Sequence, residues 1–512
     1  MARMHLVPSV CFVGAAPKGS LGGRWTSLTA RSVLVIAAMM GACSSGAEQG
    51  GGSGGTPSAG SGGATASSGG ATGNTGTGGV SAGTGGALAT GGSRGGGIGG
   101  ATGPGTDGGA MGTGGRIGTG GASGGTPGTG AVEDDGTDCT VATLPDSGSL
   151  PTVALLPDPF KKLDGTRMST KAEWHCRREE IRKQAEKYAF GTKPPKPQTV
   201  TGTISNTTIS VRVMDGTKST TFSAGIVLPT SGTPPYPSII VYGGGVFGAP
   251  LDMSVINSEG VALINYDPYS NGKEGTGRAN KQGAFYDIAG GTSTTGLLVA
   301  WGWGVSRIID VIAQSDGKIL KADAVGVTGC SRFGKGAFLA GVLDQRVALT
   351  MPIESGTAGV PIWRGVPGEG AQSLSSAYGE QPWFGDAFTA FTGSPTKAPL
   401  DTHELVAMVA PRGLFIMDNP FIANLGPKSA HVAALAGAEV YKALGAGDNI
   451  TYYSDVQSGT HCSLRPEWSA PLKNNIERFL KKTGTAPGVI RASASATGQL
   501  TTWVDWTTPT LN

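Results

Sequence analysis

Histidine, cysteine and charge are all scarce in this chain of 512 residues, which has five histidines, six cysteines and 15% charged residues. No CxxC pair and no His-rich cluster occurs, so the usual sequence signature of a metal site is missing. The net charge of +3 is too small for a nucleic-acid binder or a polybasic membrane surface. The apolar run Val33 to Met40 is also too short to cross a bilayer, which takes about 20 such residues.

Glycine, in contrast, is in excess, and most of the surplus lies in a Gly/Ser/Thr/Ala tract at 44–138. Such a tract cannot bury enough apolar surface to offset its ordering entropy, so a flexible tether is expected. The GG-T and GG-S repeats keep no strict three-residue period, which excludes collagen. Ahead of it, Arg24 and Arg31 precede the apolar run and then Met40-Gly41-Ala42-Cys43. Charge, apolar core and small residues in that order read as an export signal over 1–43. Its end resembles a bacterial lipobox, which implies lipidation at Cys43. The expected location is a bacterial surface or the extracellular space.

One domain's worth of chain remains, expected at 139–485, followed by a tail at 486–512. Thr201 to Val213 and Ser219 to Leu228 read as hairpin strands around Asp215-Gly216. Beyond them, buried-strand runs (237–242, 261–265, 324–328, 348–352, 413–417 and 450–453) alternate with helical patterns at 297–313, 431–444 and 468–480. Alternation of this kind predicts a three-layer α/β/α sandwich with a mostly parallel central sheet. Sites in such sheets collect at the carboxyl ends of strands.

Ser331 stands at one of those ends, in Gly329-Cys330-Ser331-Arg332-Phe333-Gly334. By periodicity alone it fits an ordinary helix N-cap. The dipeptides Cys330-Ser331 and His461-Cys462 point further. A serine nucleophile and its histidine base must come within about 3 Å of each other. Their neighbours then fall into disulfide range, so a Cys330–Cys462 bridge would staple nucleophile to base. Four of the six cysteines, Cys139, Cys176, Cys330 and Cys462, lie in this region, and an even number suits disulfides in an exported protein. The turn departs from the G-x-S-x-G elbow, because Phe333 replaces the second glycine and Gly334 follows one place later.

Two carboxylates compete to orient His461. Glu354 ends the strand after the nucleophile helix, and Asp418 ends the next one. Only one is needed, and Asp418 holds the more usual position for an α/β-hydrolase. Arg332 and Lys335 add two cations, Lys335 sharing a helix face with Ser331. Most lipases have no use for them, whereas an acidic or heavily hydroxylated substrate would.

These residues resemble the glucuronoyl esterases, carbohydrate esterases of the α/β-hydrolase fold. The likeness runs from about Cys139 to Leu480 and is densest at Trp174-His-Cys-Arg-Arg178, Ala300-Trp-Gly-Trp-Gly304, Val327-Thr-Gly-Cys-Ser-Arg332, Gly379-Glu-Gln-Pro-Trp-Phe384 and Leu425-Gly-Pro427. The resemblance implies hydrolysis of the ester between (4-O-methyl-)glucuronic acid of glucuronoxylan and lignin alcohols, without a cofactor or metal. It further implies Ser331 as nucleophile, His461 as base and Glu354, not Asp418, as acid. Arg332 would stabilise the oxyanion, and Lys335, Gln372 and Glu380 would bind the uronate hydroxyls. Cys330–Cys462 and Cys139–Cys176 match family disulfides. The family's sugar-contacting tryptophan is replaced by Asn424. The default assembly is a monomer.

Overall fold

A computed structural model describes residues 133–244, 249–485 and 487–512. The export signal, Cys43, nearly all of the glycine tract and the hydrophobic run at 33–40 therefore lie outside the described residues.

A ten-stranded sheet runs through the body in the order β1-β2-β3-β5-β4-β6-β7-β8-β9-β10. β1 (Thr199–Ile204), β2 (Thr208–Asp215) and β3 (Lys218–Val227) form an antiparallel edge, and β3 also meets β5 antiparallel. From β5 (Ala262–Tyr266) through β4 (Tyr236–Tyr242), β6 (Leu320–Cys330), β7 (Val347–Ile353), β8 (Gly413–Met417) and β9 (Ile450–Ser454) to β10 (Ile490–Ala492), every pairing is parallel. Helices cover the sheet, and the architecture is the expected α/β-hydrolase fold.

The central strands are buried on both faces, in keeping with the lack of polar/apolar alternation in YPSIIVY, GLFIM and ITYYS. Leu297–Gln314 is long and apolar enough to cross a membrane by composition, yet most of it is buried inside the body. It is a core helix.

The structure departs from the sequence reading in three places. The single strand expected over Thr201 to Val213 is two, β1 and β2. Ser205 breaks it, because its hydroxyl accepts from the backbone N–H groups of Thr207 and Thr208, at 3.3 and 3.0 Å. Local side-chain bonds of this kind compete with a ladder. Second, the helix expected from His431 starts earlier and spans Pro427–Ala443, with proline at its first position.

Third, the folded body is longer at both ends than 139–485. Glu133 sits among Lys193, Arg307 and Arg346, and Asp134 pairs with Arg178. At the other end, β10 extends the sheet beside β9, and Leu511 is buried. The Trp506 indole donates to the Leu156 carbonyl at 3.1 Å, and Leu156 N–H donates to Trp503 O at 2.8 Å. The tail's tryptophans are packing groups.

Candidate active site

Four neighbouring strands end in step. Cys330 is in register with Ile353, Ile353 with Met417, and Met417 with Tyr453. The residue after each of β6, β7 and β8 continues the ladder: Ser331 N–H donates to Ile353 O (2.9 Å), Glu354 N–H to Met417 O (2.7 Å) and Asp418 N–H to Tyr453 O (2.8 Å). Ser331, Glu354 and Asp418 thus stand side by side along one edge.

Ser331 is no ordinary N-cap. Its φ of 59° and ψ of −127° are strained for a residue with a side chain, and its hydroxyl makes no capping bond. Helix Arg332–Leu343 begins directly after it, so the helix N-terminus and its unsatisfied N–H groups lie beside the hydroxyl. The displaced glycine has a steric reason. A Cβ on Gly334 would meet Ile353 O at 2.6 Å, so the close approach falls there and not at 333. Phe333 instead lays its ring against Tyr269 and Trp301, over Gly243, where a Cβ would meet the ring at 2.5 Å.

The two carboxylates differ sharply. Glu354 Oε2 accepts from His461 Nδ1–H at 2.5 Å and from the Cys462 backbone N–H at 2.8 Å, and its other oxygen accepts from Asn419 Nδ2 at 3.2 Å. Asp418 receives the Asn419 N–H at 2.9 Å. Burial pushes its pKa up to about 8, helped by the charge of Glu354 and opposed by that N–H. Burial thus favours the neutral form of Asp418, and the side chain touching the histidine is that of Glu354.

The staple forms. Cys330 and Cys462 are bonded, with Cα atoms 5.9 Å apart, and Cys139 is bonded to Cys176. Ligand atoms of Cys330, Glu354, His461 and Cys462 all lie within 4.8 Å of one another. That proximity is the geometry the paired dipeptides imply, and the bridge consumes both sulfurs that a metal would need.

A cavity of about 320 Å³ opens in front. Ser331, Arg332, Lys335, Gln372, Glu380, Asn424 and His461 all line it, so every cavity residue expected from the sequence is brought together. Lys335 Nζ donates to Ser355 O at 2.6 Å, and burial lowers its pKa to about 7, against the pull of Glu380. Gln372 Nε2 donates to Glu380 Oε2 at 2.7 Å, while Gln372 N–H donates to the Asn424 carbonyl at 3.1 Å.

Sequence reasoning missed three participants. Glu274 accepts from Arg332 Nη1 at 2.9 Å and from the Trp383 indole at 2.6 Å, fixing both. Trp383 in turn lies 5.2 Å from Lys335 Nζ and 5.8 Å from the Arg332 guanidinium, within cation–π range. Asn419 reaches from Glu354 to the carbonyls of Ser458 and Thr460 on the histidine loop. A lone acid in the glycine-rich loop after β5 and an amide beside a strand-end carboxylate were the available signals.

Comparison with known proteins places this geometry. A family model described as glucuronyl esterase, fungi, matches residues 211–445. The chain is 36% identical to a 4-O-methyl-glucuronoyl methylesterase of Hypocrea jecorina over 73% of this chain and 80% of that protein. The chain belongs to the glucuronoyl esterase family. A second relative of the same name, from Neurospora crassa, is 38% identical over 73% of this chain and 93% of its own length.

Among solved structures, the glucuronoyl esterase catalytic domain from Hypocrea jecorina covers 72% of this chain and all of its own, with 36% identity and a TM-score of 0.66. A serine-to-alanine variant of the Sporotrichum thermophile glucuronoyl esterase, in complex with methyl 4-O-methyl-β-D-glucopyranuronate, is 35% identical, covers 73% of this chain and all of its own, and has a TM-score of 0.66. Asn424, the residue at which the sequence resemblance implies a tryptophan in the family, lines the cavity.

Proposed function

We propose that this protein is a serine esterase that hydrolyses esters of (4-O-methyl-)glucuronic acid, cleaving those that join glucuronoxylan to lignin alcohols. The observation that carries the reading is the bond from His461 to Glu354 behind a strained Ser331 at the mouth of a polar, cationic cavity. The relative solved with a methyl glucuronate supports the substrate class.

In this mechanism Glu354 fixes the tautomer of His461, leaving Nε2 to take the Ser331 proton. The serine oxygen attacks the ester carbonyl carbon, and the oxyanion forms beside the helix N-terminus and Arg332. Collapse breaks the bond to the alcohol oxygen, which leaves with the proton from His461. Water then attacks the acyl-enzyme, giving one proton to His461 and on to Ser331, and the uronic acid departs. Lys335, Gln372, Glu380 and Asn424 hold the sugar hydroxyls. The reaction needs no cofactor, metal or nucleic acid, and a monomer suffices. Two disulfides and the signal-like leader support export, with lipidation at Cys43 and the glycine tract as tether.

The test is hydrolysis of methyl and benzyl glucuronate beside p-nitrophenyl acetate by the wild type and Ser331→Ala. Serine-dependent cleavage of the glucuronates well above the acetate is expected. Acetate activity alone would overturn the substrate assignment.

A further inference from the structure

The cavity's polar groups account for the acid half of such an ester, and the alcohol half lies on the side of the departing oxygen. The polar lining of Arg332, Lys335, Gln372, Glu380 and Asn424 suits hydroxyls and a carbonyl, and Trp383, Ile422 and Leu425 are the apolar groups beside them. The alcohol oxygen takes the proton from His461, so it passes within hydrogen-bond reach of that ring, and the carbons behind it extend over the loops that carry the histidine.

Those loops hold the two most exposed large apolar side chains among the described residues, Phe421 at 60% and Leu464 at 57%. Single exposed apolar residues are unremarkable; two on the segments flanking one histidine are a pattern. Leu464 follows His461 by three positions and the bridged Cys462 by two. Phe421 packs against the approach to His461: a Cβ on Gly459 would lie 3.1 Å from Phe421 Cβ. Ile422, next to Phe421, lines the cavity itself and so joins it to this outer surface.

Both loops are held rigidly. Phe421 N–H donates to Asn419 Oδ1 at 3.0 Å, and the same Asn419 amide bonds Glu354 and the histidine loop. Arg465, beside Leu464, donates to Ser458 Oγ at 2.6 Å and to Thr460 O, closing the loop on itself. A contact surface held this way costs little ordering on binding.

We infer that Phe421 and Leu464 form the binding surface for the alcohol of the ester and select for large apolar, especially aromatic, alcohols. The inference rests on the esterase reading above.

The test compares kcat/KM for benzyl and methyl glucuronate in the wild type, Phe421→Ala, Leu464→Ala, the double variant and Phe421→Leu. The benzyl-to-methyl ratio should fall about fivefold in the double variant, with methyl ester cleavage little changed and Phe421→Leu partly restoring the ratio. A ratio unchanged while methyl glucuronate is cleaved normally would overturn the assignment and leave the esterase reading standing. Equal losses on both esters would show a purely structural role and overturn it too. A wild type that cleaves neither ester would bring down the esterase reading itself.

Discussion

The ends of β7 and β8 are neighbours in one sheet, each closing on a fully buried carboxylic acid, and they do opposite things. At the end of β7, Glu354 receives three donors, from His461, Cys462 and Asn419. At the end of β8, Asp418 receives the Asn419 N–H, and burial drives its pKa to about 8. Burial raises the Asp418 pKa, the charge of Glu354 adds to that, and the Asn419 N–H opposes it. Burial depth does not separate the two acids; the number of hydrogen-bond donors does.

The largest test of that contrast is a matched pair of amide substitutions. Glu354→Gln should lower kcat on methyl glucuronate by about 10²–10⁴-fold, because the histidine loses its anionic partner. Asp418→Asn replaces a neutral acid by a neutral amide and should leave kcat within about twofold. Steady-state kinetics on the two variants decides, and equal losses would erase the distinction.

Stability comes next. The Cys330–Cys462 bridge holds the nucleophile turn to the histidine loop. Replacing both cysteines by Ala should cost about 2–5 kcal/mol, read as a shift in the denaturation midpoint. An unchanged midpoint would mean that the Glu354 bonds alone hold that loop.

A smaller effect should appear in the pH dependence of binding. Lys335 has its pKa lowered to about 7 by burial, so its charge fades as pH rises through that value. KM for the uronate ester should then rise by up to about tenfold between pH 6 and 8.5, the difference between a charged and a neutral hydrogen bond. Lys335→Met should have a high, pH-flat KM.

A further test follows Asp418 through stability. Its folded pKa, about 8, lies above its ordinary 3.8, so the folded state holds the extra proton between those values. That stabilisation is fully present below about pH 4 and is lost as pH rises through 8. Thermal unfolding of Asp418→Asn should therefore gain on the wild type between pH 5 and 8.5. A constant difference would mean that Asp418 is ionised throughout.

Much of this site was legible from the residues alone. The paired dipeptides called for the Cys330–Cys462 bridge, which forms, and for Ser331 and His461 as the proposed nucleophile and base beside it. The strands ending at Ser331, Glu354 and Asp418 were also visible, because parallel buried strands carry continuous apolar runs. The roles of Glu274, Trp383 and Asn419 were at most hinted at, since their bonds to Arg332, to Glu274 and to Glu354 join residues far apart in the chain, and no local pattern encodes such contacts. The C-terminal strand was hidden for a related reason: Ile490–Ala492 is only three residues long and becomes a strand by pairing with β9.

Position and chemical type were thus the province of the sequence: an α/β sheet, a serine at a strand-to-helix turn, a late histidine and cysteines beside both. The choice between Glu354 and Asp418 belonged to the tertiary structure. Sequence physics leaned to Asp418, and family likeness pointed to Glu354. The fold favours Glu354, because only the packed chain brings the histidine, a backbone N–H and the Asn419 amide onto one carboxylate. Which acid holds the histidine depends on which donors reach it, and those contacts exist only once the strands have aligned.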